Sequence, residues 1–358
     1  MEDNTYVKKI SLKELKRYLK DWCVLPNLSY SFYVNWNKTI LKKLKGNKNL
    51  IYCYFEDENP TMLLFLEKNK NGEIISANLL DYFDIIVLKD NNEGIKDFIK
   101  KIMEIERVRK LTFNNCQQES VLLKTFNNIQ TIKKEICVKI EIDKTYDSYY
   151  QRLTKSSRQN LRTAYNRLVT DGKTFKFEYY ENPDQISKFK ATMKKIYVNR
   201  TKEKNNLNFL KRIFYYNFEP VVDSISKTKN LSCGCIFVDN KVAGYFLGLR
   251  NNNEIIIPRL SIDLNYSRYS VGNILINETI KHLIKENKYN VFDLAQGNEN
   301  YKYVMGGIEH YKFSFEVGIE ELWKLCFSTQ ICVLAELKKV WLILLISLLC
   351  QMMLKLFF

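Results

Sequence analysis

Residues 231–286 read LSCGCIFVDNKVAGYFLGLRNNNEIIIPRLSIDLNYSRYSVGNILINETIKHLIKE. Three runs rich in β-branched and aromatic residues, 231–238, 242–250 and 254–261, are separated by Asp239-Asn240 and by Asn251 to Asn253. Asn and Asp tolerate the left-handed backbone that tight hairpins need, so the stretch predicts a three-stranded meander in the middle of a sheet. A polar loop, 264–271, then leads into apolar residues at helical spacing from Gly272 to about Glu286. Strands are expected at 291–294 and 311–317. The order β-β-β, loop, α, β is the informative object.

Working upstream, 146–153 and the basic stretch up to 169 read as helices broken at 154–157, 175–180 as a strand, and 184–199 and 206–218 as helices. The first 142 residues alternate the two periodicities. Helices are expected at 11–20, 95–105 and 120–128, and strands at 50–55, 62–67, 84–88, 110–113 and 136–142. The predicted fold class is mixed α/β (α+β) with mostly antiparallel sheets, divided into units at 1–142 and 143–325 and a hydrophobic tail at 326–358.

With 358 residues, 46% hydrophobic and 27% charged, the composition is that of a folded chain of about two domains. The formal charge of +16 suits a partner rich in phosphate: a nucleotide, a nucleic acid or an anionic lipid surface. Nine Cys, odd in number and without a repeated spacing, do not read as a disulfide framework, and Cys233 and Cys235 read as buried thiols. Two His, His282 and His310, exclude chemistry built on several imidazoles, and no metal-ligand cluster is expected. The polar amino terminus has no secretory pattern, which places the active part in the cytoplasm.

The meander, loop and helix resemble the GNAT acyltransferase layout. Lys155, Ser156, Ser157, Arg158, Gln159, Asn160, Leu161 and Arg162, with Arg167 and Leu168, resemble the helix that opens the acetyltransferase domain of the CelD-like branch, which is related to Fem-type aminoacyltransferases. Phe292, Asp293, Gly297, Asn298, Glu299, Tyr301, Lys302, Gly306 and Gly307 resemble that branch's closing signature. The resemblance implies two GNAT-like units in tandem, the first degenerate. It also implies acyl transfer from acetyl-CoA or another acyl-CoA to an amine acceptor.

Arg268, Ser270, Val271, Gly272 and Asn273 stand where the family holds the donor's pyrophosphate. The chemistry fits, because unpaired amides and the dipole at a helix N-terminus favour an anion, and Gly272 leaves the backbone approachable. The family's usual glycine pattern is richer than the one found here. Residues 258–263 could receive the donor's arm as an added strand, and Pro258, lacking an amide hydrogen, belongs at an edge or bulge. Arg158 and Arg162, four apart on one helix face, could clamp an anionic substrate, or form a solvated basic face. With imidazole scarce, Asp293, Glu299 and the phenol of Tyr301 are the expected catalytic groups, with Lys302 beside an anionic oxygen or tuning the phenol.

In the tail, only Ser347, Gln351 and Lys355 interrupt the apolar run from Val340 to Phe358, and a helix of that length would span roughly 28 Å. Such a helix could cross a bilayer, lie in its interface on the cytoplasmic side, or pack against its own domain. The preferred function is acyl-CoA-dependent N-acylation of an amino sugar or peptide precursor of the cell envelope. A Fem-like enzyme using aminoacyl-tRNA and a noncatalytic scaffold are the alternatives.

Overall fold

Asp239 and Asn240 both take left-handed backbone conformations, with φ of 48° and 61°. Two such residues in succession match the right-handed twist of the strands they join, and Val238 pairs with Lys241 across them. In the computed structural model, which describes residues 4–19, 28–39, 46–88, 91–126, 129–205, 208–211, 213, 219–251, 253–320 and 322, this hairpin lies in a continuous sheet. In chain order the strands are β1 (Thr5–Lys9), β2 (Lys48–Glu56), β3 (Asn59–Lys68), β4 (Ile74–Ser76), β5 (Ile86–Val87), β6 (Lys110–Gln117) and β7 (Thr131–Glu141). They continue with β8 (Phe175–Tyr180), β9 (Leu231–Val238), β10 (Lys241–Arg250), β11 (Glu254–Ile262), β12 (Val291–Gln296) and β13 (Ile308–Gly318).

The spatial order is β1-β2-β3-β4-β6-β13-β7-β12-β11-β10-β9-β8, with β5 also on β3. Only β4 with β6 and β11 with β12 pair in parallel among the named strands; the others are antiparallel. The class is therefore the expected mixed, mostly antiparallel one. The last of the described strands, β13, is inserted between β6 and β7 and so stitches the first half to the second.

Helices cover both faces. Tyr146–Arg152, Lys155–Thr170 and Val271–Glu286 bury Tyr149, Leu161, Leu168, Ile274 and Leu283 against Phe246, Ile255 and Phe292. On the opposite face Lys190–Asn205 and Pro220–Ile225 place Met193 and Val222 in the core of the first half. There Asn92–Glu106, a strongly amphipathic helix, buries Ile95, Phe98, Ile99 and Ile102. Thr154 caps the 155–170 helix through the Ser157 amide at 3.1 Å, which is why 154–157 reads as a break.

Several expectations shift. Of 84–88 only Ile86–Val87 is a strand, because Asp84 instead accepts the amides of Val121 and Leu122 at 2.8 and 3.0 Å and anchors the next helix. The 264–271 loop contains a 3₁₀ helix, Leu264–Tyr269, capped by Asp263. Short elements were missed: β1, β4, and the helices Tyr30–Asn37, Pro220–Ile225 and Asn300–Val304. The helix expected over 206–218, apart from 208–211 and 213, and the tail at 326–358 lie outside the described residues. Among the described residues no helix is long and apolar enough to cross a membrane. Each described cysteine is free and buried, and the Sγ atoms of Cys233 and Cys235 lie 3.8 Å apart.

Candidate active site

β11 and β12 pair only over Glu254–Ile256 and Val291–Asp293. Beyond that point β11 follows β10 as far as Ile262, while β12 follows β7, with Gln296 opposite Cys137. The two strands splay, and a cleft of about 590 Å³ opens between them. Its wall includes Ile257 to Ile262, the free edge of β11. The β10 partners jump from Ile256 to Arg259, which puts Pro258 at a bulge where its missing amide hydrogen costs no ladder bond.

The N-terminus of the Val271–Glu286 helix closes one end of the cleft. The amides of Asn273 and Ile274 return to the Ser270 carbonyl at 2.9 and 3.3 Å, which leaves those of Val271 and Gly272 without an intrahelical acceptor. Ser270, Gly272 and Asn273 line the cleft. A Cβ at Gly272 would meet only Ile262 Cγ2, at 3.5 Å, so its bareness is not required by packing. Ser270 enters the helix with φ 50° and its side chain makes no cap. Val271 is fully buried and offers only its backbone. Arg268 points away from the cleft into an ion pair with Asp171 at 3.0 Å, against the Tyr269 ring, and so corrects the expectation of a phosphate contact.

Glu299, Tyr301 and Lys302 line the same cleft. Burial, then the Glu299 charge, pushes the Tyr301 phenol well up, partly offset by Arg200, so it stays protonated at neutral pH. Lys302 is 2% exposed and donates to the carbonyls of Ala295, Gln296 and Gly297 at 3.1, 2.8 and 3.1 Å, with Glu299 3.3 Å away. Three ammonium hydrogens meet three carbonyls, which corrects the expected substrate contact: this lysine fixes the turn after β12. Gly297 is needed there because its φ of 113° is a backbone conformation that residues with a Cβ rarely adopt.

Asp293 is not in the cleft. It is 1% exposed and accepts the Tyr82 hydroxyl at 2.8 Å and the Ala295 amide at 2.7 Å, with His310 Nε2 at 3.3 Å. The carboxylate thus pins a first-half tyrosine, which corrects its expected place beside the reacting atoms. Arg158 donates to the carbonyls of Gln151 and Leu153, both at 2.9 Å, and so closes the preceding helix. Arg162 is exposed and outside the cleft wall, so the two-arginine clamp is not assembled there.

Sequence reasoning missed Tyr197, Arg200 and Thr201, which line the same cleft, and took Arg259 only as part of the 258–263 edge. Arg259 bonds the buried Glu219 at 3.0 Å and lies 3.9 Å over the Tyr197 ring, while its buried Nε has no partner. A lone arginine after proline inside an apolar strand was the available signal. Tyr197, Arg200 and Thr201 sit on a helix of little amphipathic character, which gave none.

Residues 155–303 match the family described as the acetyltransferase (GNAT) domain. FemX is similar in structure at 11% identity and TM-score 0.55, over 89% of this chain and 99% of that one. L-PGS from Bacillus licheniformis is similar at 11% identity and 0.51, over 86% and 92%. A tandem GNAT protein from the clavulanic acid biosynthesis pathway is similar at 7% identity and 0.50, over 88% and 98%. At these identities the likeness is one of fold. No curated protein matches the sequence. The match and the splayed cleft define the class: a chain with a GNAT-type acyltransferase fold.

Proposed function

We propose that the chain transfers an acyl group from an acyl-CoA to a primary amine, within one ternary complex. The observation that carries this reading is the cleft itself, where a helix N-terminus, a free strand edge and a protonated phenol face one volume. The donor's pyrophosphate is assigned to the amides of Val271 and Gly272. Its pantetheine arm is assigned to the edge at Ile257 to Ile262, where it can add as a strand. Tyr301 then supplies a proton to the departing sulfur, and Arg259 and Arg200 bring positive charge to the cleft wall. We assign the division at 142/143, the CelD-like affiliation and an amino sugar or peptide acceptor of the cell envelope to the same reading, with the tail as its membrane contact.

Calorimetry with acetyl-CoA and with CoA tests it: saturable binding of both is expected, and no heat from either would favour a scaffold. A second reading, an aminoacyl-tRNA donor, draws on the +16 charge. Salt separates them, since RNA binding falls steeply with ionic strength and CoA binding changes far less.

A further inference from the structure

A second cavity, of about 540 Å³, opens between the two halves of the chain. The first half lines it with Trp36, Asn78, Leu80, Asp81 and Asn115, the second with Pro220, Gln296 and Lys312. Gln296 also lines the acyl-transfer cleft, so it stands on the walls of both cavities.

The polar groups around this cavity are satisfied with one exception relevant to it. Lys312 donates to Gln296 Oε1 at 2.9 Å and to the Asp81 carbonyl at 3.3 Å. Glu135 takes Lys133 at 2.9 Å and the Gln296 amide at 2.6 Å. The Trp36 indole N–H donates to the Asn78 carbonyl at 2.6 Å. Oδ2 of Asp81, in contrast, is withdrawn from solvent and accepts no hydrogen bond. Leaving a buried carboxylate oxygen unpaired is costly, and a donor brought by a ligand would relieve it.

The backbone beside this carboxylate is strained at Leu80. Leu80 and Asp81 have φ of 80° and 47°, and the Tyr82 amide turns back to the Leu80 carbonyl at 2.7 Å. Asn115, on the same wall, has φ 64°. Asp and Asn tolerate such a conformation, but at a leucine it persists only when the surroundings impose it. The restraint is visible: the next residue, Tyr82, is tied to Asp293 on β12.

We propose that the cavity between the halves seats the acceptor's primary amine and that Asp81 takes its proton. This rests on the acyl-transfer reading above. The ammonium gives one proton to the Asp81 carboxylate, and the neutral nitrogen attacks the carbonyl carbon of the donor thioester. A C–N bond forms and the C–S bond breaks; the departing thiolate takes the Tyr301 proton, and the phenolate recovers the second proton, shed by the new amide nitrogen. The charged groups acting on Asp81 are Lys312, Arg259 and Lys302, opposed by Asp293, while Lys133 and Glu135 line the same cavity as a pair. Burial pushes the Asp81 carboxyl up to about 6, so it is ionised at pH 7 yet basic enough to accept the proton. The surrounding cations disfavour a second ammonium, which holds the amine neutral once its proton has left.

The test compares full-length parent with Asp81→Asn in a thiol-release assay using acetyl-CoA and the amines glucosamine, lysine and ethanolamine. Binding of the same amines is followed by ligand-observed NMR. The parent's kcat/KM should rise with pH through about 6, whereas Asp81→Asn should lose about 100-fold and the pH limb with it. Amine binding should weaken at least about tenfold while CoA affinity, measured by calorimetry, is retained. An unchanged rate and pH profile in the near-isosteric variant, or no saturable amine binding to the parent, overturns the assignment. Loss of CoA binding by the parent instead overturns the acyl-CoA reading, and the amine titration stays interpretable.

Discussion

Tyr301 and Lys302 are adjacent in sequence and differ in what they face. The phenol lines the cleft and is held protonated by burial, whereas the ammonium is spent on three carbonyls of its own chain. Tyr301→Phe should therefore slow turnover by about 100-fold with little change in donor affinity, measured as kcat against Kd for acetyl-CoA. Equal kcat in the variant and the parent would remove the phenol from proton transfer. The carboxylates divide in a comparable way. Asp293 stood out in the sequence because of its signature, yet its oxygens hold Tyr82 and Ala295. Asp81, with no motif around it, carries the unpaired oxygen. Sequence could rank residue types, but it could not say which acids already had partners.

At the scale of elements, the helix Val271–Glu286 was legible because its apolar residues recur at helical spacing and bury Ile274, Leu275, Ile280 and Leu283. Its entry was less so. Ser270 takes a left-handed conformation, makes no side-chain cap, and leaves its carbonyl to the amides of Asn273 and Ile274. Gly272→Val keeps an ordinary backbone conformation and meets ordinary contact at Cβ, so the fold should survive. Its γ carbons would stand over the amides to which we assign the pyrophosphate. Calorimetry should then show CoA binding weakened about tenfold or more, at an unchanged melting temperature. Full affinity in this variant would move the phosphate site elsewhere. The splay of β11 from β12 was foreshadowed only by Pro258, since the divergence depends on which strand each edge pairs with.

For the molecule as a whole, the placement of β13 matters most. It fills the gap between β6 and β7, so a chain cut at the expected 142/143 boundary would leave β6 without β13 and β7 without either neighbour. Fragment 1–142 should accordingly lack cooperative unfolding, and its amides along Lys110–Gln117 and Thr131–Glu141 should exchange without protection. Native-like protection of both strands in the isolated fragment would show that the halves fold independently. The cavity between the halves depends on the same stitching, because its walls come from both.

The order of most of the longer strands and helices, the meander with its Asp239-Asn240 turn, and the mixed class were determined by the sequence alone. Turn chemistry and hydrophobic periodicity act between residues near one another in the chain. Strand neighbours, the depth of the cleft and the partners of Asp81, Asp293, Arg158 and Lys302 were decided only by the tertiary structure. Those depend on contacts between residues as far apart as Tyr82 and Asp293, and a polar side chain's role follows from whether such contacts have already satisfied it.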